Sequence, residues 1–255
     1  RPAAPRMSKF FPIRLTSRRL ATPAVLHLTF VRDDGGSLDY TPGQFIQIHF
    51  HYADGKPTKR SYSVATVGPG DGTPVMQVEI AVSYVDGGAA TALLANLKQG
   101  EAIDASGPYG RFCLFDTDAN RRYLLIGTGT GVTPYRAMLP QLKRAIAERG
   151  IEVALLFGAR TPQELLYGQD FIDFERETPG FRFYGCFSRE LPSLPRTYDR
   201  QGYVQAVLDE LSPDAAGDIA YLCGNPNMVD AAFAQLKEAG LPVPHIRREK
   251  YVSSK

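Results

Sequence analysis

Apolar and polar residues alternate along several short stretches of the first half of the chain, between residues 11 and 115. In residues 25–30 and 45–50, apolar side chains recur at every second position, the period of a β-strand with one buried face. Turns such as residues 33–36 (Asp-Asp-Gly-Gly) separate these runs. Many short strands at this spacing predict a closed antiparallel β-barrel, with one short helix over residues 89–97.

A different pattern begins near residue 121, where strands and helices alternate. Residues 121–126 form a short apolar run, and an amphipathic helix follows that ends at Gly150. The same alternation predicts strands over 153–158, 181–184 and 219–223, and helices over 171–177, 204–211 and 228–238. Such alternation is typical of a parallel sheet covered on both faces. We therefore predict two domains, an antiparallel β-barrel over residues 9–116 and an α/β domain with a parallel sheet over residues 117–255.

The composition narrows the class of function. Lys and Arg number 29 against 27 Asp and Glu, a net charge of +2, which gives no reason to expect a nucleic-acid partner. The sequence has no apolar run that could span a bilayer and no signal segment, so we expect a cytoplasmic monomer without a membrane span. Three cysteines are too few for a disulfide framework or for an iron–sulfur cluster, which takes four thiolates. We expect no bound metal, and we expect any one-electron partner to be a separate molecule.

Positive charge is concentrated at the start of the chain. Residues 1–32 include seven Lys and Arg and no Asp or Glu. Two interpretations stay open: the basic end steers an acidic partner, or it combines a solvated tail with a charged strand face. Residues 1–8, which are rich in Pro and Ala, are predicted to be disordered.

Residues 60–63 (Arg-Ser-Tyr-Ser) follow a turn and are expected to be extended. In a strand, Arg60 and Tyr62 share one face, whereas Ser61 and Ser63 share the other. One face then carries a guanidinium that can pair with phosphate beside a flat ring that can stack on a flavin. Taken alone, alternating Arg and Tyr on a strand is more often ordinary surface decoration, and both interpretations stay open at this point.

Two glycine-containing turns offer sites for phosphate groups. Residues 86–91 (Asp-Gly-Gly-Ala-Ala-Thr) open the short helix with free backbone N–H groups, and Thr91 adds a hydroxyl. Residues 127–134 (Gly-Thr-Gly-Thr-Gly-Val-Thr-Pro) close one strand and open the next helix, an arrangement that places a diphosphate at the helix N-terminus. A glycine-rich turn of this kind can also serve close packing alone.

The carboxyl ends of the later strands carry residues that can recognise a nucleotide. Ser188 and Arg189 offer a hydroxyl and a cation, as the extra phosphate of NADP requires. Glu190 keeps two alternatives open, a surface ion pair with Arg189 or acceptance of the ribose hydroxyls of NADH. Cys223 closes the last parallel strand, where a lone cysteine is most often a small buried residue.

The order and spacing of these motifs resemble the ferredoxin–NADP(H) reductase family, bacterial type, over residues 10–251. The motifs that carry the resemblance lie at residues 60–63, 86–91, 107–112 (Gly-Pro-Tyr-Gly-Arg-Phe), 127–134, 187–190, 223–228 (Cys-Gly-Asn-Pro-Asn-Met) and 249–251 (Glu-Lys-Tyr). The resemblance implies FAD held by the β-barrel and NADP(H) delivered by the α/β domain. The chain departs from the family pattern at Thr133, where relatives carry a small residue, and in the four residues that follow Tyr251.

The resemblance also assigns roles residue by residue. Arg60 would pair with the pyrophosphate of FAD, Tyr62 would stack on the flavin ring, and Ser63 would bond near its reactive nitrogen. The implied FAD-binding set is Arg60, Ser61, Tyr62, Ser63, Ala81, Val82, Ser83, Gly88, Ala89, Ala90, Thr91, Thr130 and Tyr251. The implied NADP-binding set is Thr130, Gly131, Thr133, Arg160, Ser188, Arg189, Arg200, Tyr203, Cys223, Gly224 and Met228. The implied catalytic set is Ser63, Cys223, Glu249 and Tyr251.

The implied function is that of an FAD-dependent reductase, which exchanges hydride with NADP(H) and single electrons with an acidic ferredoxin or flavodoxin. Tyr251 would cover the flavin and move for hydride transfer, with the following tail adjusting its mobility. One alternative is an NAD(P)H-dependent reductase component that serves an oxygenase or free flavin. Another is a non-catalytic subunit with the same fold, against which residues 60–63 and Cys223 argue.

Overall fold

The computed structural model describes residues 10–84 and 88–252. The expectation of disorder for residues 1–8, the start of the turn at 86–91 and the end of the tail after Val252 therefore lie outside the described residues. None of the helices in the described part of the chain is both long enough and apolar enough to cross a membrane.

The first half folds into an antiparallel sheet of six strands. The strands are β1 (Phe10–Thr22), β2 (Val25–Arg32), β3 (Phe45–His51), β4 (Pro57–Ser63), β5 (Gln77–Ser83) and β6 (Ala102–Tyr109), with helix α1 (Ala89–Asn96) after β5. They lie in the order β4-β3-β6-β1-β2-β5. The two edges meet just beyond β4, where the Ala65 amide donates to the Glu79 carbonyl of β5 at 2.7 Å. The predicted antiparallel β-barrel is therefore confirmed.

Alternation along the barrel strands explains the position of its core. In β3, Ile46 and Ile48 are fully buried, while Gln47 and His49 between them are only half-buried. Tyr62 and Arg60 of β4 lie directly opposite Ile46 and Ile48, so they share that face of the sheet. The register therefore turns Arg60 and Tyr62 to the same side, as the period of the strand predicts.

The second half contains a parallel sheet of six strands. The strands are β7 (Arg122–Thr128), β8 (Glu152–Ala159), β9 (Phe181–Phe187), β10 (Arg200–Gln201), β11 (Asp218–Gly224) and β12 (Ile246–Lys250), and the helices are α2 (Thr133–Arg149), α3 (Gly168–Glu177), α4 (Val204–Leu211) and α5 (Pro226–Glu238). The strand order is β10-β9-β8-β7-β11-β12, and neighbouring strands run parallel. The predicted α/β architecture is confirmed.

Helices cover both faces of this sheet because successive residues of each strand point to opposite sides. Leu125 of β7 packs in one buried cluster with Met138 of α2, whereas Leu124 packs in another with Val207 of α4. The first cluster also includes residues of the first half, among them Phe112. A continuous apolar core therefore joins the two halves on the α2 side of the sheet.

A polar cluster at the same interface fixes the two halves further. The ring of His27 in β2 bonds through Nδ1 to the Tyr167 hydroxyl at 2.7 Å and through Nε2 to the Glu79 carboxylate at 2.9 Å. The Arg136 guanidinium of α2 donates to the Ala65 carbonyl at 2.7 Å. The hydrogen bond from His27 holds the pKa of Glu79 below its usual range against the opposing effect of burial. The bonds of His27 to Tyr167 and of Arg136 to Ala65 therefore join the barrel to the second half of the chain.

Strand β12, like the two-residue strand β10, is an element that the sequence pattern did not predict. Its five residues, Ile-Arg-Arg-Glu-Lys, include four charged side chains and no alternation of apolar positions. Pairing with β11 sets Arg247 opposite Tyr221 and Glu249 opposite Cys223. The Arg247 guanidinium forms a two-pronged ion pair with Asp118, at 2.7 and 2.9 Å, and also bonds to the Tyr221 hydroxyl. This edge strand is therefore held in register by one largely buried cation.

Candidate active site

A cleft of about 1360 Å³ lies between the barrel and the parallel sheet. Its lining comes from β4 and α1 on one side and from the ends of β7, β8 and β11 on the other. Pockets for one small molecule are usually about 300–1,000 Å³, so this cleft has room for two ligands. No group of three or more His, Cys, Asp or Glu side chains within residues 10–84 and 88–252 could hold a metal ion.

Strand β4 presents Arg60, Ser61, Tyr62 and Ser63 to the cleft. The Arg60 guanidinium donates to the hydroxyls of Thr58 at 2.9 Å and Tyr52 at 3.0 Å, which hold its long side chain in place. Burial raises the pKa of the Tyr62 phenol to about 12, so the ring stays neutral at physiological pH. The strand therefore offers a positioned cation beside a neutral aromatic ring.

The N-terminus of α1 forms a second wall on the barrel side. Gly88, Ala90 and Thr91 line the cleft, together with Ala81 and Ser83 of β5. Among the described side chains, none caps this helix, so the backbone N–H groups of its first turn remain available to an anion. The Thr91 hydroxyl donates to the Ser83 carbonyl at 3.2 Å, which ties the helix to the strand. Val82 and Ala89, which the resemblance also implied, do not line the cleft; Val82 is buried in the barrel core.

The glycine-rich turn after β7 packs backbone against backbone on the end of β11. It continues as a short 3₁₀ helix, Gly129–Val132, into α2. A Cβ at Gly131 would lie 2.4 Å from the Cys223 carbonyl oxygen, so only glycine fits there without a backbone shift. Gly224 has φ 129° and approaches Thr128 as closely, since a Cβ added to it would lie 2.5 Å from Thr128 Oγ1. One role of the glycines in this turn is therefore to let its backbone approach the end of β11 closely, which is the packing role considered from the sequence.

Threonines of this turn lie on its cleft side. Thr130 and Thr133 line the cleft, whereas Gly131 does not. Thr133, the departure from the family pattern, donates its hydroxyl to the Thr130 carbonyl at 2.6 Å. The Thr128 hydroxyl accepts from the Asn225 amide at 2.9 Å and so links the two strand ends. Thr133 therefore satisfies a carbonyl at the start of α2, a structural use for its hydroxyl.

Residues from the two domains meet where β4, β11 and β12 end. The Tyr251 hydroxyl bonds to Ser63 Oγ of the barrel, and the Tyr251 amide donates to the Gly224 carbonyl at 2.8 Å. The Tyr251 ring packs against the buried cluster that contains Cys223. Cys223 is fully buried, and burial raises the pKa of its thiol well above the usual range. Ser63, Glu249 and Tyr251 therefore line the cleft together, whereas Cys223 does not line it.

Glu249 lies next to the place where Ser63 of the barrel meets Tyr251, which we call the junction. It is opposite Cys223 in the β11–β12 pair and lines the cleft, and burial raises the pKa of its carboxyl from 4.5 to about 7. No hydrogen bond or ion pair to a side chain of the described residues offsets the burial. The carboxyl can therefore exchange a proton near neutral pH.

The raised pKa of Glu249 predicts a pH-dependent stability. Between pH 4.5 and about 7 the folded protein keeps a proton that the unfolded chain releases, so the free energy of unfolding falls as pH rises through this window. Because Glu249 is partly exposed, we expect a loss of about 2 kcal/mol rather than the full shift. Glu249→Gln should lack this loss. Urea unfolding of the FAD-free protein and the variant at pH 5 and pH 8 measures the difference, and equal pH slopes would contradict it.

The nucleotide-binding side of the cleft is lined by Arg160, Ser188, Tyr203, Gly224 and Met228. Tyr203 is 72% exposed, so its ring face is open to a ligand. Arg189 and Arg200 do not line the cleft. Arg189 is exposed and forms no ion pair with Glu190 in the part of the chain that the structure describes, and Arg200 is paired with Glu210 at 2.9 Å.

Several lining residues were not found from the sequence, and two of them carry polar side chains that matter for the nucleotide side of the cleft. Thr128 and Glu164 both line the cleft. Thr128 was visible as a hydroxyl at the strand end, but its contact with Asn225 depends on the meeting of two distant strands. Glu164 follows Arg160 by four residues, the spacing of an ion pair within one helical turn, which is the signal that could have revealed it.

Comparison with known proteins identifies the chain's relatives. Residues 12–113 match the model of the oxidoreductase FAD-binding domain, and residues 125–233 match that of the oxidoreductase NAD-binding domain. A ferredoxin–NADP reductase B from Sorangium cellulosum is 34% identical over 248 residues, which cover 94% of this chain and 97% of that protein. This chain belongs to the ferredoxin–NADP reductase family. As a member of the family, it has an FAD-binding domain and an NAD(P)-binding domain.

Other relatives of this reductase show that the similar proteins include reductases with different roles. The reductase component of propane 2-monooxygenase from Rhodococcus jostii is 29% identical over 243 residues, covering 94% of this chain but 63% of that protein. A solved ferredoxin NADP+ reductase from Neisseria gonorrhoeae, with bound FAD and NADP, superposes with a TM-score of 0.78 at 20% identity and covers 95% of this chain and 99% of that one. The last likeness supports the fold alone.

The residues present in this reductase fit both cofactors of the family. The barrel side offers the Arg60 cation, the Tyr62 ring and the uncapped amides of α1. The other side offers hydroxyls and an exposed aromatic ring at the carboxyl ends of parallel strands, where such sheets bind nucleotides. The size of the cleft is consistent with two ligands that meet in it.

Proposed function

We propose that this chain is an FAD-dependent ferredoxin–NADP(+) or flavodoxin–NADP(+) reductase. It would exchange hydride with NADP(H) and single electrons with a small acidic carrier protein. The observation that carries the proposal is the hydrogen bond of Ser63, from the barrel, with Tyr251, which follows the last strand of the parallel sheet and packs against the buried cluster that contains Cys223. A ligand held by one domain and a ligand held by the other would share this junction.

In this proposal residues 9–116 form the FAD domain and residues 117–255 the NADP(H) domain. Arg60 and the first-turn amides of α1 bind the pyrophosphate of FAD, and Tyr62 packs against the flavin ring. Thr91, Gly88 and the strand β5 backbone complete this seat. On the other domain, Ser188 and Arg189 bind the 2′-phosphate, and Tyr203 stacks on the adenine.

At the junction, each residue has a separate task. Bound FAD supplies the ability to take up two electrons as hydride and to release them one at a time. Cys223 shapes the contact surface for the nicotinamide, and its raised thiol pKa keeps it neutral. Glu249 holds or releases a proton at its carboxyl near neutral pH. Tyr251 occupies the junction at rest and moves to admit the nicotinamide.

An acidic carrier protein is favoured as the acceptor by the ferredoxin–NADP reductase relative that matches nearly end to end. The basic strand β1 supports it only in part. Arg14 pairs with Asp33 and Arg18 donates to the Leu97 carbonyl, whereas Arg19 on the same strand is exposed. We place the reductase in the cytoplasm, since Cys113, Cys186 and Cys223 are all free thiols, and we propose separately that it is a monomer.

A second candidate function is a reductase component that passes electrons to an oxygenase. It is favoured by the propane 2-monooxygenase reductase component, which matches across 94% of this chain. The same junction would serve, with a different acceptor and with NADH as an alternative donor. Glu164 and Glu190, on the nucleotide side, are carboxylates of the kind that accept ribose hydroxyls.

Turnover with different donors and acceptors separates the two candidates. NADPH and NADH would each be tested against a ferredoxin, a flavodoxin, an oxygenase component and free flavin. The proposal expects the highest kcat/KM with NADPH and a ferredoxin or flavodoxin, falling as salt concentration rises because opposite charges meet. Faster reduction of the oxygenase component would favour the second candidate instead.

A further inference from the structure

Glu164 is an acidic side chain on the nucleotide side of the cleft to which neither the resemblance nor the proposed NADP(H)-dependent function gives a role. It lies in a short 3₁₀ helix, Pro162–Glu164, just after β8, and lines the cleft. Its Oε1 accepts from the Arg160 guanidinium at 2.7 and 2.9 Å, and its Oε2 accepts from the Arg160 amide at 3.0 Å. The carboxylate therefore holds both the backbone and the charged end of Arg160.

Arg160 also supports the loop that is expected to bind the 2′-phosphate. Its carbonyl accepts from the amides of Arg189 at 3.0 Å and Glu190 at 3.1 Å, and the Ser188 amide donates to the neighbouring Ala159 carbonyl at 2.9 Å. The ends of β8 and β9 are thus joined at this point. A phosphate bound near Ser188 would lie close to the Arg160 guanidinium and to the carboxylate that already holds it.

Within the lining of the cleft, little unpaired positive charge lies near such a phosphate. Of the three arginines implied for NADP, Arg160 is paired with Glu164 and Arg200 with Glu210, and Arg200 and Arg189 lie outside the lining of the cleft. Arg160 is thus the one of the three that lines the cleft, and its guanidinium is already neutralised. A 2′-phosphate would have to compete with Glu164 for it.

We infer that Glu164 sets the balance between NADPH and NADH by withholding the Arg160 guanidinium from the 2′-phosphate. The inference rests on the proposed function and deepens it, since it names the residue that tunes the choice of coenzyme. The carboxylate opposes NADPH in two ways, by occupying the cation and by repelling the phosphate. NADH carries a neutral hydroxyl at this position in place of the phosphate, so neither effect opposes its binding.

Binding of two fragments tests the inference without any redox reaction. Calorimetric titration of the FAD-loaded protein with 2′-phospho-AMP and with 5′-AMP compares nucleotides that differ in the phosphate that Arg160 would meet. Glu164→Gln should bind 2′-phospho-AMP about 10-fold more tightly, the gain of one charge-assisted hydrogen bond, while 5′-AMP binding stays within about 2-fold. The kcat/KM ratio of NADPH to NADH should rise by the same factor.

Two further variants control the result. Arg160→Met in the Glu164→Gln background should abolish the gain, because the freed guanidinium is its source. Asp173→Asn removes a surface carboxylate of α3 that pairs with Arg176, away from the cleft, and should leave both affinities unchanged. An equal gain in Asp173→Asn would assign the effect to net charge and overturn the inference.

The failure of this inference differs from the failure of the proposed function. If the parent protein oxidises NADPH but Glu164→Gln binds 2′-phospho-AMP no better, the role of Glu164 is wrong and the proposed function stands. If the parent protein binds neither fragment and neither coenzyme reduces its FAD, both are wrong.

Discussion

Tyr251→Ala is expected to bind NADP+ about 100-fold more tightly than the parent protein and to turn over more slowly. At rest the Tyr251 hydroxyl bonds to Ser63, and its ring packs against the buried cluster shared by the two domains, which includes Cys223. Admitting a nicotinamide must break these contacts, at about 1 kcal/mol for a hydrogen bond and about 2 kcal/mol for the ring. Removal of the ring removes this competition.

Slower turnover follows from the same change. A nicotinamide that no longer meets a competing ring leaves slowly, so release of NADP+ becomes limiting. Difference-spectrum titration gives the dissociation constant, and stopped-flow absorbance at the flavin band gives the rates of reduction and release. Deletion of residues 251–255 should act like Tyr251→Ala, although its last three residues lie outside the described part of the chain.

Tyr251→Phe is the matched control for this prediction. It keeps the ring and loses the hydroxyl bond to Ser63, so NADP+ should bind only a few-fold more tightly. The expected order of affinity is therefore parent, then Phe, then Ala. An unchanged dissociation constant in Tyr251→Ala would show that the ring does not occupy the nicotinamide site.

Arg247→Met is expected to lower the free energy of unfolding by about 3 kcal/mol. The guanidinium makes two hydrogen bonds to the buried Asp118 carboxylate, and its loss leaves that charge without a cation, with the Tyr123 hydroxyl still donating to it. Burial disfavours the charged form of Arg247, but its contacts with Asp118 outweigh burial and raise its pKa well above the usual range, so it stays charged at all working pH values. Urea unfolding curves would show the loss as a lower midpoint with an unchanged slope.

The effect should extend from stability to the junction, because Arg247 holds β12, which carries Glu249 and leads into Tyr251. Asp118→Leu combined with Arg247→Met removes both charges and should recover much of the stability. We expect hydride transfer to stay slower in the double variant than in the parent protein. The ion pair that fixes the position of β12 against its neighbours is still missing. Equal stability of Arg247→Met and the parent would contradict the role of this pair.

Most of the architecture could be predicted from the period of apolar positions. Residues 204–211 were expected to form a helix and do so as α4 (Val204–Leu211), and the strand expected over 219–223 is the centre of β11. These elements bury apolar side chains at regular intervals. The burial of apolar surface that stabilises them is therefore visible in the period of the sequence. The change from the period of strands to an alternation of strands and helices also predicted a barrel followed by a parallel sheet.

The parts that escaped prediction depend on contacts between distant residues. β12 pairs with β11, and its residue Arg247 forms an ion pair with Asp118, 129 positions away. The local sequence, in which four of five residues are charged, does not indicate a strand. Likewise, Thr128 and Asn225 meet only when two strand ends come together. The residues of the candidate site were expected from the resemblance to a known family. The pairing of Arg160 with Glu164, which changes the charge of the nucleotide side, became visible only in the structure.

The visible spectrum of the purified protein, before and after NADPH is added without oxygen, tests the central claim most directly. If a flavin held beside Ser63 faces a nicotinamide held beside Cys223, the protein should be yellow with equimolar FAD, and NADPH should bleach the flavin band. A colourless protein that takes up no added FAD, or a yellow one that neither NADPH nor NADH bleaches, would contradict the account.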